Sequence, residues 1–181
     1  VEDALYMTRD ALVFNEVAKW WKIGTIDGIP YSVAMSADGD ITYVGTVDGK
    51  LYKAAGLSDA VTELAALGAD AIQGIDGTDS IPAVPSVITF EEIDGTVFNG
   101  QAITSIAINP NNANDVIVTL GNYGNENYIF RANDGVTFEA KPSPTQAPVP
   151  VYSSLIEKSG RVFVGTENGL YFSDDMNTWT P

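Results

Sequence analysis

Residues 164–181 read VGTENGLYFSDDMNTWTP, and most of this stretch recurs elsewhere in the chain in altered form. Residues 44–52, VGTVDGKLY, align with residues 164–171, VGTENGLY, with one inserted residue and two substitutions. Residues 132–138, ANDGVTF, match residues 173–179, SDDMNTW, in an Asp, a Thr and the final aromatic residue. The chain therefore contains an internal repeat, which is the first feature to seek in a sequence.

The repeated unit consists of short apolar runs separated by polar turns. An apolar run, a polar turn and a second apolar run follow one another in residues 33–46, 105–120 and 154–166. The runs are rich in Val, Ile, Thr, Tyr and Phe, which favour strands, and Asp-Gly and Asn-Gly pairs favour hairpins with type I′ turns. A period of roughly 40–45 residues with about four strands per unit is typical of propeller blades. The sequence therefore predicts an all-β fold of the β-propeller type.

The seven-residue turns at residues 132–138 and 173–179 resemble the Asp-box (BNR) repeat. That repeat reads roughly Ser-x-Asp-x-Gly-x-Thr-Trp, with shorter Ser-x-Asp-Gly-x-Thr-Trp forms. Such repeats occur in sialidases, sortilin-type receptors and secreted bacterial glycosidase-like propellers. The resemblance implies that the Asp pins a peripheral hairpin and that the aromatic residue packs beneath it, which is a structural role. Met176 stands where the repeat has Gly, and Ala132 stands where it has Ser. The residues that carry the resemblance are Asp134, Gly135, Thr137, Phe138, Ser173, Asp175, Thr178 and Trp179.

The chain divides into predicted blade pieces at approximately residues 1–29, 30–100, 101–141 and 150–181. Within the second piece, residues 57–70 have apolar side chains at helical spacing and predict a short helical insertion. Closed propellers need about four blades or more, and the three to four pieces in this chain include a partial one. We therefore expect the chain to be part of a larger ring, with the remainder of the propeller or another protein chain against both ends.

Composition excludes several classes of protein. The 181 residues include 24 acidic and 9 basic ones, a net charge of −15, so nucleic acid and anionic membranes are poor partners. No apolar run approaches the ~20 residues of a membrane-spanning helix. The chain has no Cys and no His, which excludes disulfides, thiolate metal sites and Ser-His-Asp or Cys-His nucleophiles.

The sequence contains two kinds of candidate acidic site, one for hydrolysis and one for calcium. Glu91, Glu92 and Asp94 lie together and are candidates for two-carboxylate glycoside hydrolysis, although solvated acids in a loop or at a strand edge explain them better. Oxygen ligands for calcium occur in residues 36–40 and 109–115, but turn chemistry accounts for the same Asp, Asn and Gly residues. We expect no catalytic residues and no cofactor, with calcium as the alternative.

Aromatic residues beside amides are the candidates for ligand binding. Residues 121–130, GNYGNENYIF, contain Tyr123 and Tyr128 among Asn, Gly and Glu. Such rings can stack on sugars or dock a partner, or they can cover the edge of a sheet. Trp20 and Trp21 are neighbours in a predicted strand, so they face opposite sides of it, and one of them is a further candidate.

Two functions fit these observations. The first is a non-enzymatic, extracellular β-propeller module for protein or glycan binding or for structural assembly, secreted or at the surface of a bacterial cell. The second is a segment of a glycoside hydrolase propeller that acts on polysaccharide, with its catalytic acids partly elsewhere. A propeller fold by itself does not choose between them, because one fold hosts unrelated functions. We expect the chain itself to have no enzymatic activity.

Overall fold

The computed structural model describes residues 3–8, 12, 19–58, 72–73 and 88–181. These residues form fourteen strands and one short 3-10 turn, Thr96–Phe98. The strands are β1 Ala4–Met7, β2 Lys19–Thr25, β3 Pro30–Met35, β4 Thr42–Thr46, β5 Leu51–Ala55, β6 Ile72–Gln73, β7 Thr89–Ile93, β8 Ile103–Asn109, β9 Asn112–Leu120, β10 Ile129–Ala132, β11 Glu139–Lys141, β12 Val151–Ile156, β13 Val162–Thr166 and β14 Gly169–Ser173.

The strands form four antiparallel sheets, as the predicted all-β propeller fold requires. In order of hydrogen-bonded neighbours, the first sheet is β1-β2-β6 and the second is β3-β4-β5-β7. The third sheet is β8-β9-β10-β11 and the fourth is β12-β13-β14. A one-residue bridge from Thr180 to Phe172 adds the start of an outer strand to the fourth sheet. The prediction of an all-β propeller arc is thus confirmed.

The second, third and fourth sheets lie side by side with their first strands as neighbours. The Ser32 hydroxyl of β3 donates to the Ile103 carbonyl oxygen of β8 at 2.8 Å, and Thr104 of β8 donates to the Val151 carbonyl oxygen of β12 at 2.5 Å. The hydroxyls of Ser105 and Ser154 are 3.0 Å apart. The inner strands β3, β8 and β12 are therefore held in register from one blade to the next by hydroxyl groups.

A continuous apolar core fills the space between these three sheets. It includes buried side chains from every strand of the third sheet except β11, and Phe98 at its centre contacts Phe130 and Phe138 edge to face. The first sheet packs on the opposite side of the second, where Trp21 and Ile23 contact Ala54 and other residues. Neighbouring sheets in the described part of the chain thus share apolar contacts, and the hydroxyl bonds between the inner strands add to them.

The hairpin between β4 and β5 differs from the predicted type. A type I′ turn requires positive φ at both central residues, but Asp48 is not among the residues with positive φ, and Gly49 has a φ of 82°. The same holds for Asn168 and Gly169, since only the glycine has a positive φ, which is 135°. Neither the Asp48-Gly49 pair nor the Asn168-Gly169 pair therefore occupies the two central positions of a type I′ turn.

Strand β6 was not anticipated from the sequence. It lies within the predicted second blade piece, yet Lys19 pairs with Gln73 and Trp20 with Ile72, which places β6 at the outer edge of the first sheet. The predicted helix over residues 57–70 falls mostly outside the described residues. The two described residues of that range, Leu57 and Ser58, form a turn.

Candidate functional site

One end of the arc carries the loops that precede the inner strands. Ile103 at the start of β8 pairs with Leu120 at the end of β9, so residues 121–128 project from the same end as the segment before β8. Between residues 97–99 and 124–127 lies an open cavity of about 380 Å³. Its rim is polar, with the side chains of Asn99, Glu126 and Asn127, and its base is formed by buried aromatic residues.

The two tyrosines of this loop have different environments. Tyr123 is 68% exposed, whereas Tyr128 is 2% exposed and its hydroxyl accepts the backbone N–H of Asn125 at 3.2 Å. Tyr128 therefore orders the loop from inside, and its ring has no free face for a ligand. Only Tyr123 of the pair presents its ring to solvent.

Tyr123 forms a small cluster with residues of the neighbouring blade. Its hydroxyl donates to the Glu167 carboxylate in the β13–β14 turn, and Tyr152 at the start of β12 lies beside it, half exposed. The hydrogen bond to Glu167 is the main cause that raises the pKa of Tyr123 to about 12. The cluster keeps the phenol protonated and offers ring surface and one carboxylate, a combination suited to a cationic or hydroxyl-rich partner.

The two adjacent tryptophans lie on opposite faces of β2. Trp21 is 5% exposed and packs between the first and second sheets, while Trp20 is partly exposed. The Trp21 indole N–H has no hydrogen-bond partner among the described residues. Trp20, unlike Trp21, is therefore accessible to a ligand, and its predicted role in ligand binding stays a prediction.

The three acidic residues after Phe90 do not form a facing pair. Glu91 and Glu92 are adjacent in β7 and so point to opposite faces, and Glu92 accepts the Tyr52 hydroxyl at 3.0 Å. Asp94 accepts the backbone N–H of Thr96 at 3.0 Å, which lowers the pKa of Asp94. Hydrolysis by two carboxylates needs groups that flank one bond from opposite sides, an arrangement that these three do not have.

The two Asp-containing turns have the same internal hydrogen bonds. Asp134 accepts the backbone N–H groups of Val136 and Thr137 at 2.9 and 2.7 Å. Asp175 accepts those of Asn177 and Thr178, both at 2.8 Å. These bonds lower the pKa of both carboxyls, that of Asp134 to about 2. Each carboxylate thus holds a hairpin turn at the outer edge of its sheet.

The aromatic residue after each turn packs differently. Phe138 is buried against Phe98, and Trp179 is partly exposed and donates from its indole nitrogen to the Pro142 carbonyl oxygen at 3.0 Å. Ser173 is buried, and its hydroxyl donates to the Thr178 carbonyl oxygen at 2.6 Å. The assignment of these turns to the Asp-box repeat remains a resemblance.

The candidate calcium turns satisfy their own polar groups. Asp38 accepts the Ser36 hydroxyl at 2.5 Å and the backbone N–H of Asp40 at 3.1 Å, and the Asp40 carboxylate accepts from Ser58. In the second turn, Asp115 is held by Asn109 and Arg131. Across the described residues no three acidic groups lie close enough to share a metal ion.

The outward face of the fourth sheet is a surface that the sequence did not reveal as a site. Leu170 is 63% exposed and Leu155 is 59% exposed, although both lie within strands of this sheet. Leu51 has the equivalent position in the second sheet, since it pairs with Gly45 as Leu170 pairs with Gly165. Leu51 is 0% exposed because the third sheet covers it. The repeated Val-Gly-Thr sequence was the signal that could have predicted this surface.

Comparisons with known proteins support the fold. No family model matches the chain, and a search of curated proteins finds no match. Among solved structures, the chain is similar to the GH74 enzyme of Niastella koreensis, with a TM-score of 0.55 and 17% identity over 88% of this chain and 24% of that one. It is also similar to the Cps50 (Swd1) β-propeller domain of Myceliophteria thermophila, with a TM-score of 0.57 and 13% identity over 100% of this chain and 53% of that one.

A third similar structure is PorZ of Porphyromonas gingivalis, described as a bacterial surface component of the type-IX secretion system. The TM-score is 0.54, with 12% identity over 92% of this chain and 22% of that one. At these identities the likeness shows the fold alone. The chain is a β-propeller arc that spans between about a fifth and a half of the length of the structures it matches. None of the helices in the described residues is long and apolar enough to cross a membrane.

Proposed function

We propose that this chain is a non-enzymatic β-propeller segment that binds protein through the uncovered face of its fourth sheet, in a secreted or cell-surface location of a bacterium. The main support is the difference in exposure between Leu170 and Leu51. The two occupy equivalent positions, and one is 63% exposed while the other is 0% exposed. An apolar sheet face with a polar surround is a surface on which a partner binds.

Three of the described aspartates have structural roles in turns, which fits a binding module. The carboxylates of Asp94, Asp134 and Asp175 all accept backbone N–H groups in turns. A catalytic acid or base needs a pKa near the working pH and access to a substrate, whereas these pKa values are lowered. The description of PorZ as a bacterial surface component suggests, by fold analogy only, the proposed location.

The second candidate is a segment of a glycoside hydrolase propeller, suggested by the similarity to a GH74 enzyme. In that case the exposed ring of Tyr123 and the amides around the neighbouring cavity would contact saccharide. This candidate predicts polysaccharide hydrolysis once the rest of the ring is supplied, and the first candidate predicts none.

The test compares the full chain with two matched variants in a pull-down from the cell-surface extract of the organism that encodes it. The double variant Leu155→Asp, Leu170→Asp should lose the protein that the wild type retains. The control Val136→Asp changes another exposed apolar residue, 39% exposed, and should retain it. Equal retention by the double variant, or release of sugar from a polysaccharide lost on mutation of an acid of this chain, would overturn the proposal.

A further inference from the structure

The outward face of the fourth sheet repeats, residue by residue, a face that is covered in the second sheet. In the second sheet Ser32 pairs with Gly45, and Gly45 with Leu51. In the fourth sheet Ser153 pairs with Gly165, and Gly165 with Leu170. Since cross-strand partners share a face, each set lies on one side of its sheet.

In the second sheet this face holds the inner strand of the next blade. A Cβ atom at Gly45 would lie 2.4 Å from Ile103 Cγ2, so the absent side chain makes room for Ile103. The Ser32 hydroxyl donates to the Ile103 carbonyl oxygen at 2.8 Å. The glycine thus forms a notch for an aliphatic side chain, and the serine binds the backbone of the same residue.

The fourth sheet has the equivalent glycine, Gly165, and the equivalent serine, Ser153, but no inner strand of another sheet lies over them among the described residues. The nearest atoms to a Cβ at Gly165 belong to Ser153 alone, with Oγ at 2.4 Å. Ser153 is exposed, and its hydroxyl donates no hydrogen bond to another described residue. Phe163 and Phe172 extend the apolar surface, with ring centroids 6.0 Å apart.

We propose that the outward face of the fourth sheet is the receptor for a further propeller blade whose inner strand has the chemistry of β8. In this arrangement an aliphatic side chain lies over Gly165, and the carbonyl oxygen of the same residue accepts the Ser153 hydroxyl. The rest of that blade covers Leu170 as the third sheet covers Leu51. The inference rests on the proposed function and names the partner that its binding surface takes.

Charge argues against a second copy of the chain as the occupant. Each copy carries a net charge of −15, so two copies repel one another at low ionic strength. The receptor face itself is apolar, and its described cation, Arg161, stacks on Phe172 and pairs with Asp174 within the same sheet. An uncharged inner strand such as β8, Ile103–Asn109, therefore suits this face better.

The experiment is a titration of the isotopically labelled full chain with a peptide of residues 101–111, QAITSIAINPN, followed by the amide resonances of the fourth sheet. We expect saturable shifts at Ser153, Gly165 and Leu170. The same peptide with Ile103→Asp should bind at least about tenfold more weakly, since one buried aliphatic side chain accounts for that factor. The chain variant Ser153→Ala should also weaken binding, and Val136→Asp should leave it unchanged.

Three outcomes would overturn the proposal. The first is no shift at Gly165 with millimolar peptide. The second is a shift along β12 that the Ile103→Asp peptide reproduces, which indicates pairing with a strand edge. The third is a doubled mass in sedimentation that Leu170→Asp abolishes, which indicates a second copy. The pull-down tests the proposed function separately. If the wild type retains a protein that the Leu155→Asp, Leu170→Asp variant loses, the proposed function stands even where one of these outcomes is found.

Discussion

The hydroxyl of Tyr43 in the second sheet donates to the carbonyl oxygen of Gly135 in the third, at 3.0 Å, and both groups are buried. This bond ties the interior of one blade to the Asp134 turn of the next. Burial, the largest cause, raises the pKa of Tyr43, so the hydroxyl stays a donor at neutral pH. The turn thus has a role between blades in addition to its role within one hairpin.

Tyr43→Phe is expected to lower the free energy of unfolding by about 1–3 kcal/mol, because it leaves a buried carbonyl oxygen without its donor. Urea denaturation of the full chain measures the change. Tyr31→Phe is the matched control, since Tyr31 is 61% exposed, and it should have an effect within about 0.5 kcal/mol. Equal effects of the two substitutions would show that the bond between blades does not stabilise the fold.

Gly45→Ala and Gly165→Ala change equivalent positions with opposite surroundings. The first places a methyl group against Ile103, at 2.4 Å before any relaxation, and should lower the free energy of unfolding by about 1–3 kcal/mol through overpacking. In Gly165→Ala the new methyl group meets only the hydroxyl of Ser153, which can rotate away. Thermal and urea unfolding should rank the two in this order, and the reverse ranking would contradict the assignment of the notch.

Arg131→Gln should strongly destabilise the chain at neutral pH. Arg131 donates two hydrogen bonds of 2.7 Å to Asp115, whose side chain is 7% exposed. Removing the cation leaves a buried carboxylate without its partner, which costs about 3 kcal/mol or more. Arg161→Gln breaks a pair with side chains 40% and 66% exposed and should change stability much less, because solvent screens an exposed ion pair.

The effect of Arg131→Gln should depend on pH. Burial would raise the pKa of Asp115, but the hydrogen bonds from Arg131 and Asn109 outweigh it and lower the pKa. A carboxyl with a lowered folded pKa contributes stability above its ordinary value of 3.8, and this contribution is lost as the pH falls through the folded value. Urea titrations at pH 7 and below pH 3.8 should therefore show the wild type and the variant converging in acid.

Asp134 should titrate well below an ordinary aspartate. The backbone N–H of Thr137, the largest cause, helps to lower the pKa of Asp134 to about 2. Carboxyl carbon chemical shifts followed against pH measure this value directly. The stability that Asp134 contributes is present above about 3.8 and lost on acidification towards 2, so the stability curve of Asp134→Asn should lack that component. A midpoint near 3.8 would show that the turn hydrogen bonds are not formed in solution.

The repeat made the fold predictable, because it fixed both the strand period and the places of the turns. The matching Val-Gly-Thr stretches end the second strands β4 and β13, where Thr46 and Thr166 pair with the first residues of β3 and β12. Local pattern was sufficient for the hairpins of the repeated unit, but it did not predict β1, Ala4–Met7, although β1 pairs with the next strand.

The rest of the structure depends on contacts between residues distant in the chain. Pairing of β6 with β2 joins Ile72 to Trp20, and two residues carry too little pattern to predict it. Burial of Tyr128 and Trp21 follows from the neighbouring sheets, which a single strand does not reveal. The receptor face was missed for the same reason, because Leu170 and Leu51 look alike in sequence and differ only in what lies over them.

The placement of β6 also has a consequence for how the chain unfolds. Between Ala55 of β5 and Thr89 of β7, the chain leaves the second sheet, contributes Ile72 and Gln73 to the first sheet, and returns. The chain between the last two strands of the second sheet therefore also supplies the edge strand of the first sheet, which links the two sheets. We expect the first and second sheets to exchange their amide protons as one cooperative unit, and the third sheet to be coupled to the second through their shared apolar core.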